Sequence, residues 1–536
     1  MQPGDDPLRI PSGRSFPADA SAVPGDTPGR DSIASRTAQG ATWLLSWRVL
    51  TRIIGFLSTL VLARLLTPAD FGIIALGMAM SAALEALTFA GVQEQLIRIE
   101  AADRDLFDTG FTINAMRSVV LASALALGST WLAGFFGDKR LLPVVLALAV
   151  CQLLGGFENI GIVEYRRRLN FRKDVQLAAV PRLVSAVTVL TAAFVFRDYR
   201  ALIVALVVGR LVQNQYSYMI HPYRPRFSLR SWRKLTSFSL WSWGNGVVNF
   251  LRIRADNLII ARVLGPTSLG IYAVAQEISS LPFSELIQPI GQVLFAGFAA
   301  VRQAGSGVDS AYARALGSVF LLVLPATVGV AFIAEPATAL LFGPQWMAAV
   351  PLIRILAMTG TLMVCTVVGR VLLSSFGWPR INFQIALAAT IVRLPLIAAL
   401  TVAIGMRGAA IGVLCGTFVE ETLFLVVTMR HCGASLAMIL GQVWRPCFAA
   451  AAMAGALFAT GGWWQPRDLA TIELMRSLAI AVPGGAAVFL GALLLAWLAA
   501  GRPQGAEVEI ARHGTRILGT ALRATRRRLA PLPGAR

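Results

Sequence analysis

The chain has 536 residues, of which 56% are hydrophobic and 14% are charged, and this composition excludes an ordinary soluble globular domain. Apolar runs of roughly twenty residues recur along it, and each is long enough to cross a bilayer core of about 30 Å. The net charge of +20 does not indicate a nucleic-acid partner, because the basic residues lie in short segments between apolar runs. The chain is therefore predicted to be an all-α polytopic membrane protein.

The apolar runs divide the chain into five parts. Residues 1–36 are rich in Pro, Gly, Ser and Asp and predict a disordered cytoplasmic tail without a signal peptide. Residues 37–220 contain six predicted helices, and residues 221–430 contain six more. Residues 431–500 add two helices, and residues 501–536 form a basic tail that could lie on the inner leaflet as an amphipathic helix. The prediction is about fourteen transmembrane helices, in two repeat-related six-helix lobes plus two C-terminal helices.

A fourteen-residue stretch occurs twice and indicates this duplication. Residues 62–75 read LARLLTPADFGIIA, and residues 260–273 read IARVLGPTSLGIYA, with seven identities and no gap. Proline cannot continue a helix and glycine tolerates its exit, so each copy predicts a tight turn between two spanning helices. We interpret the turn as an outer-face hinge in each half. The hinge residues are Arg64, Pro68 and Gly72 in the first copy and Arg262, Pro266 and Gly270 in the second.

The basic loops predict the orientation. With a cytoplasmic N-terminus, residues 165–174, residues 221–234 and the tail after Gly501 are inside and strongly basic, whereas the outside loops carry fewer charges. An even number of spans then places both termini in the cytoplasm. The two repeated turns fall on the outer face, where Arg64 and Arg262 would reach the headgroup level.

Polar residues lie inside two repeat-equivalent helices, the first and the seventh. A charge at the middle of a spanning helix costs about 2.5–3.5 kcal/mol on insertion scales, so such residues usually face a cavity or a partner. The spacings of three and four residues place Arg48 and Arg52 on one face of the first helix, and Asn245, Asn249 and Arg252 on one face of the seventh. Arg254 lies on another face of the seventh helix, and the third helix adds one more arginine. The predicted substrate-binding residues of a central cavity are Arg48, Arg52, Arg117, Asn245, Asn249, Arg252 and Arg254.

Two interpretations of these arginines remain open. Internal pairing would join Arg252 to Asp256 one turn along the seventh helix. A cationic cavity between the halves would instead receive an anionic group. The cavity is favoured, because the arginines on the first and seventh helices outnumber the one acid there.

Two carboxyl groups deep in apolar runs, Glu85 and Asp256, are candidates for ion coupling. A carboxyl group removed from water can carry a proton, and a carboxylate beside other oxygens can bind Na⁺, so both ions remain open. An ion pair of Glu85 with Arg48 or Arg117 is the competing interpretation. Glu420 and Glu421, late in the twelfth helix, are expected near the inner interface.

The scattered cysteines and three histidines predict no metal site, and no cofactor is expected. There is no GxxxxGK[ST] phosphate loop, which argues against an ATP-driven pump. No outside loop is long enough to build a catalytic domain. The chain is therefore expected not to be an enzyme.

Three stretches resemble polysaccharide-export flippases of the Wzx/PST type, in the multidrug, oligosaccharidyl-lipid and polysaccharide (MOP) superfamily. Residues 40–77, and ARLLTPADFG within them, are similar to the opening of that family. Residues 256–273 resemble its seventh-helix signature, and residues 166–174 its basic loop between helices four and five. The resemblance covers about residues 37–500 in layout. Its motifs lie in the first 300 residues, and the N-terminal tail is outside the usual pattern.

The resemblance implies a cavity lined by helices one, two, seven and eight and a bacterial inner-membrane flippase with alternating access. The implied substrate is an undecaprenyl-diphosphate-linked oligosaccharide for exopolysaccharide, capsule or O-antigen, and arginine suits its diphosphate. Membrane lipids and a polysaccharide polymerase or export complex are the expected partners of a monomer. The alternatives are an exporter of the peptidoglycan lipid precursor, another MOP-type exporter or, less favoured, a polysaccharide polymerase or ligase.

Overall fold

A computed structural model describes residues 47, 50–51, 53–88, 91–99, 103–167, 171–236, 240–305, 307–460 and 471–502. The predicted tail 1–36, residues 503–536 and the candidate residues Arg48 and Arg52 lie outside the described residues. The described chain divides after Phe250 into two compact units, called here the first and second units. The domain limits drawn from the sequence stay predictions.

Every regular element in the described ranges is helical. The first unit contains α1 (Ile53–Leu65), α2 (Pro68–Leu87), α3 (Val92–Arg98), α4 (Arg104–Phe136), α5 (Leu141–Gly156), α6 (Val163–Arg167), α7 (Phe171–Phe196), α8 (Arg200–Ile220) and α9 (Trp232–Thr236). Helix α10 (Leu240–Ala304) begins in the first unit and continues in the second. The second unit adds α11 (Val308–Leu341), α12 (Val350–Leu362), α13 (Val364–Ser375), α14 (Pro379–Ile404), α15 (Met406–Cys432), α16 (Leu436–Ala459) and α17 (Thr471–Ala499).

Ten helices of the described part are long and apolar enough to cross a membrane, or eleven if the bent pair α5–α6 forms one span. Such lengths follow from the apolar runs, since a spanning helix satisfies all its backbone hydrogen bonds internally. The predicted all-α, multi-pass membrane architecture is confirmed. The count of fourteen spans and the six-plus-six-plus-two layout stay predictions.

The helical path is interrupted at both copies of the repeated motif. In the first copy, Thr67 and Asp70 form a capping box, in which the Thr67 N–H donates to the Asp70 carboxylate at 2.9 Å, and Pro68 starts α2. In the second copy, Gly265 interrupts α10 with φ of 84°, a conformation that glycine adopts without steric cost. The two turns are thus built by different local chemistry.

In the first unit, α7 packs along α8, and α5 contacts α2, α4 and α8. The segment 221–231 after α8 is fixed to the start of α4. The Tyr223 hydroxyl donates to Asp108 at 2.5 Å, and the Arg226 N–H donates to the same carboxylate at 2.8 Å. Burial and the adjacent Asp108 carboxylate raise the pKa of Tyr223 well above its usual value.

In the second unit, α14 and α15 form a close pair along a row of glycines. A Cβ atom at Gly408 would lie 1.8 Å from the Leu400 carbonyl oxygen, and one at Gly412 would lie 2.8 Å from the Ile397 Cα. Small residues allow such backbone approach between helices in a membrane. This packing fixes the position of α15, which carries two acidic residues at its middle.

Candidate functional site

An ion-pair cluster of Arg252, Arg370 and the buried Glu420 lies at the midpoint of α15. Arg252 projects from α10 and Arg370 from α13. The Glu420 Oε1 atom lies 3.3 Å from Arg252 Nη1 and 3.8 Å from Arg370 Nη2. The Glu420 side chain is 3% exposed and Arg252 12%, whereas Arg370 is 39% exposed and its guanidinium lies over the Phe424 ring. Two cationic groups therefore share a single carboxylate oxygen inside the second unit.

The next residue, Glu421, is held in a different way. The break between α12 and α13 leaves the first N–H groups of α13 without partners in their own helix. The Thr366 N–H donates to Glu421 Oε2 at 2.6 Å, and the Thr366 hydroxyl donates to Glu421 Oε1. The carboxylate thus caps a helix N-terminus, where the helix dipole favours negative charge.

Asp256 is buried on α10 and does not form the predicted pair with Arg252. Its carboxylate accepts hydrogen bonds from the Tyr272 hydroxyl at 3.0 Å and from the Asn257 N–H at 2.9 Å. Arg393 and Arg254 attract it electrostatically. Arg252 therefore forms an ion pair, as the pairing interpretation expected, but its acidic partner is Glu420 on α15.

Glu85 lies on α2 in a network of uncharged donors. The Gln152 side-chain amide, on α5, donates to Glu85 and also to the Ser81 hydroxyl at 2.7 Å. Ser81 in turn lies 3.5 Å from the Glu85 carboxylate. Within the described part of the chain, the Gln152 amide is thus a partner of Glu85 that neither sequence interpretation included.

The other predicted cavity residues that are described lie on α4 and α10. Arg117 is half-buried on α4, and Asn245, Asn249 and Arg254 are exposed on α10. Arg64 and Arg262, at the two repeated turns, are exposed as well. The cavity role of Arg117, Asn245, Asn249 and Arg254 stays a prediction, and so does the hinge role of the two arginines at the repeated motif.

Arg210, at the midpoint of α8, was not among the predicted site residues. Its Nε donates to the Cys151 carbonyl oxygen, and its Nη1 donates to the Gln213 side chain at 3.1 Å. Gln213 also donates to Glu158 at 3.1 Å, so its amide links the arginine to an acid. An arginine halfway along an apolar run was the available signal, and it is the same signal that selected Arg252.

Arg370, Glu420 and Glu421 were also missed as site residues. The expectation that the two glutamates lie near an interface is wrong, because they lie halfway along α15 and are buried in the second unit. Their charge in the middle of an apolar helix should have marked them. Among the described residues, no group of three or more His, Cys, Asp or Glu side chains could hold a metal ion.

Residues 61–351 match the family described as polysaccharide biosynthesis protein. This range is more than half of the chain. The chain belongs to that family.

Individual relatives extend the match. The chain is 27% identical over 338 residues to the succinoglycan biosynthesis transport protein ExoT of Rhizobium meliloti (strain 1021), covering 61% of this chain and 68% of ExoT. It is 23% identical over 433 residues to the lipopolysaccharide biosynthesis protein WzxC of Escherichia coli (strain K12), covering 78% of this chain and 86% of WzxC. It is 24% identical over 338 residues to the teichuronic acid biosynthesis protein TuaB of Bacillus subtilis (strain 168), covering 62% of this chain and 70% of TuaB.

Two solved structures share the fold. The lipid II flippase MurJ in its inward closed conformation has a TM-score of 0.68 at 12% identity, covering 84% of this chain and 99% of MurJ. An inward-facing multidrug resistance MATE transporter of the MOP superfamily has a TM-score of 0.57 at 15% identity, covering 72% and 95%. At such identities the likeness shows the fold alone. The predicted resemblance to polysaccharide biosynthesis and transport proteins is confirmed.

Proposed function

We propose that this chain is a flippase that moves undecaprenyl-diphosphate-linked oligosaccharide units across the bacterial inner membrane by alternating access, for the synthesis of a surface polysaccharide. The observation that carries the proposal is the relation over 338 residues to a protein named as a succinoglycan biosynthesis transport protein. The multi-pass helical fold supports it, and so do the arginines within apolar helices.

The three relatives are named for three different polymers: succinoglycan, lipopolysaccharide and teichuronic acid. A site common to such proteins is expected to bind the part of the substrate that does not vary with the sugar. A lipid-linked diphosphate is such a part, and arginine binds it through paired, charge-assisted hydrogen bonds. We assign this role in the second unit to Arg252 and Arg370.

Ion coupling through an H⁺ or Na⁺ gradient belongs to the same proposal. Glu85 is the better of the two predicted candidates, because its described neighbours Ser81 and Gln152 are neutral oxygen-bearing groups. Asp256 already lies in the field of Arg393 and Arg254, which leaves less reason for a bound cation. Inner-membrane location, cytoplasmic termini, a monomeric state and a polymerase or export complex as partner complete the proposal.

The test is a deletion strain that carries no other flippase for the same lipid-linked unit. A membrane-impermeant reagent that labels the sugar measures how much of the unit faces the periplasm. Deletion is expected to leave the unit unlabelled at the cytoplasmic face, and the wild-type gene is expected to restore labelling. If labelling continues at the normal rate without the gene, the proposed function is wrong.

A further inference from the structure

We infer that Glu420 occupies the place of the substrate's diphosphate while no substrate is bound. When the substrate binds, its diphosphate displaces the Glu420 carboxylate from Arg252 and Arg370. The inference rests on the proposed function and adds a competing group to its binding site. It assigns a role to one acid and one arginine that the sequence analysis did not connect with the substrate.

The first argument is the geometry of the contact. Charge-assisted hydrogen bonds between arginine and carboxylate are commonly about 2.7–2.9 Å long and often use both carboxylate oxygens. Glu420 offers one oxygen to both guanidinium groups, at 3.3 Å and 3.8 Å. A diphosphate carries more charge and more oxygens, so it can engage each guanidinium through two oxygens at once.

The second argument is the contrast with the adjacent residue on the same helix. Glu421 uses both carboxylate oxygens, and its partner is the backbone and hydroxyl of Thr366 at the start of α13. A carboxylate that caps a helix is part of the fold, because its loss would leave buried backbone N–H groups unsatisfied. Glu420 contacts two long side chains, Arg252 and Arg370, which can change partner by rotating.

The third argument is access. Arg370 is 39% exposed, whereas Glu420 beneath it is 3% exposed. The Phe424 ring, 5.8 Å below the guanidinium carbon, supports the flat face of Arg370. A ligand can therefore reach Arg370 before Glu420 leaves. Two further charges act on Arg370: Glu421 attracts it, and Arg252 repels it. Both belong to the charge environment that a ligand meets.

The experiment measures binding of farnesyl diphosphate, a short prenyl diphosphate, to the full-length purified protein by isothermal titration calorimetry. Competition predicts that Glu420→Gln binds the probe about tenfold more tightly than wild type, since an ion pair no longer has to be broken. Arg370→Gln is expected to bind it about tenfold more weakly. Inorganic diphosphate should compete with the probe in the same rank order, because the head group is the part that is recognised.

Glu421→Gln is the matched control. It makes the same carboxyl-to-amide change one residue away, at a side chain that has no arginine within salt-bridge distance in the described structure. Competition predicts that it changes the affinity by less than about twofold. Equal tightening by Glu420→Gln and Glu421→Gln would show a general charge effect and overturn the inference, as would unchanged or weaker binding by Glu420→Gln.

Glu420→Asp keeps the charge on a shorter side chain and serves if the glutamine variant does not fold. It is expected to tighten binding in the same direction and by a smaller factor, and no tightening would contradict the inference. A wild-type protein that does not bind the prenyl diphosphate at all would overturn the proposed cargo. Wild-type binding without tightening in the variants overturns only the role of Glu420.

Discussion

Two polar networks described in the first unit differ from two ion pairs described in the second. In the first unit, glutamine amides act as intermediates: Gln152 between Ser81 and Glu85, and Gln213 between Arg210 and Glu158. In the second unit, arginine and glutamate meet directly, as in the Arg252–Glu420 pair and the Arg354–Glu335 pair. The two networks of the first unit link their groups through neutral amides, whereas the two pairs of the second unit join opposite charges directly. The second unit also holds acids by neutral donors, since Asp256 accepts from Tyr272 and Glu421 from Thr366.

The difference bears on which unit can respond to an anionic substrate. An ion pair in a poorly solvated site is sensitive to any further charge, because coulombic energies grow as the dielectric constant falls. A neutral amide is far less sensitive. We therefore expect the second unit to contain groups that exchange partners and the described polar networks of the first unit to remain fixed.

The largest effect is expected from Arg252→Ala. It removes one of the two cations of the proposed diphosphate site and leaves the buried Glu420 with Arg370 alone. Export is expected to be lost while the protein stays in the membrane, measured by impermeant labelling of the lipid-linked unit and by immunoblotting of membranes. Arg354→Ala breaks a half-buried ion pair of the same unit, with Glu335 at 3.0 Å, and is the control. Equal loss of export in both variants, at equal protein amounts, would contradict a special role for Arg252.

The next largest effect is a difference in the stability cost of alanine at two closely packed glycines, Gly408 and Gly155. A methyl group at Gly408 would meet the Leu400 carbonyl oxygen at 1.8 Å, which is backbone and cannot rotate away. The three atoms nearest to a methyl group at Gly155 all belong to the guanidinium of Arg210, the end of a flexible side chain. Gly408→Ala is expected to cost about 3 kcal/mol, and Gly155→Ala under about 1 kcal/mol. Thermal unfolding in detergent measures both, and a smaller loss at Gly408 would refute the close contact of α14 with α15.

Glu421→Ala tests the fixed carboxylate of the second unit. It leaves the N-terminus of α13 without its cap and is expected to cost about 2 kcal/mol. The readout is the same thermal unfolding, with Glu420→Gln alongside it. If Glu420→Gln destabilised the protein more than Glu421→Ala, the distinction between an exchangeable and a fixed acid would fail.

Gln213→Leu tests the amide-mediated arrangement of the first unit. It removes the link between Arg210 and Glu158 at similar side-chain volume, at an expected cost of about 1 kcal/mol. Binding of farnesyl diphosphate should not change. A clear shift in affinity would show that this network also responds to the substrate, and the contrast between the units would be lost.

The smallest effect concerns a direct ion pair in the first unit, in the loop between α4 and α5. The Arg140 side chain donates to Asp138 at 2.8 Å and holds the pKa of that carboxyl below its usual value of 3.8. The stabilisation is therefore present above the unfolded-state pKa of about 3.9 and is lost as the pH falls through the lower folded-state pKa.

Solvent screens this exposed pair, so its contribution is expected to stay under about 1 kcal/mol. The measurement compares the thermal unfolding of wild type and Asp138→Asn between about pH 6 and about pH 3. The two curves should differ slightly at the higher pH and converge at the lower. A large difference in thermal stability between wild type and Asp138→Asn would show that a direct ion pair of the first unit stabilises the protein strongly. The contrast between the two units would then not depend on burial.

Local patterns in the sequence predicted the helices and the two turns. Hydropathy is read over about twenty consecutive residues, so it marks spans without knowledge of their neighbours. The paired proline and glycine positions marked the turns because those residues act on their own backbone. The same reasoning selected Arg252, since a charge inside an apolar run needs a partner whatever the fold.

Partner choice was not accessible in this way. Glu420 follows Arg252 by 168 positions, and Thr366 precedes Glu421 by 55. Nothing local distinguishes Asp256, one turn from Arg252, from an acid on α15 as its partner. The close approach of α13 and α15 depends on Gly369, whose missing Cβ leaves room for Thr428 and Phe424.

The sequence by itself determined a multi-pass helical membrane protein related to polysaccharide biosynthesis and transport proteins, with arginines inside its apolar helices. Those properties follow from hydropathy, turn chemistry and motif, which are local. Only the tertiary structure decided that Arg252 and Arg370 share Glu420 while Glu421 caps α13. The physical reason is that a buried charge is satisfied by whichever group the packing of distant helices brings within hydrogen-bond reach.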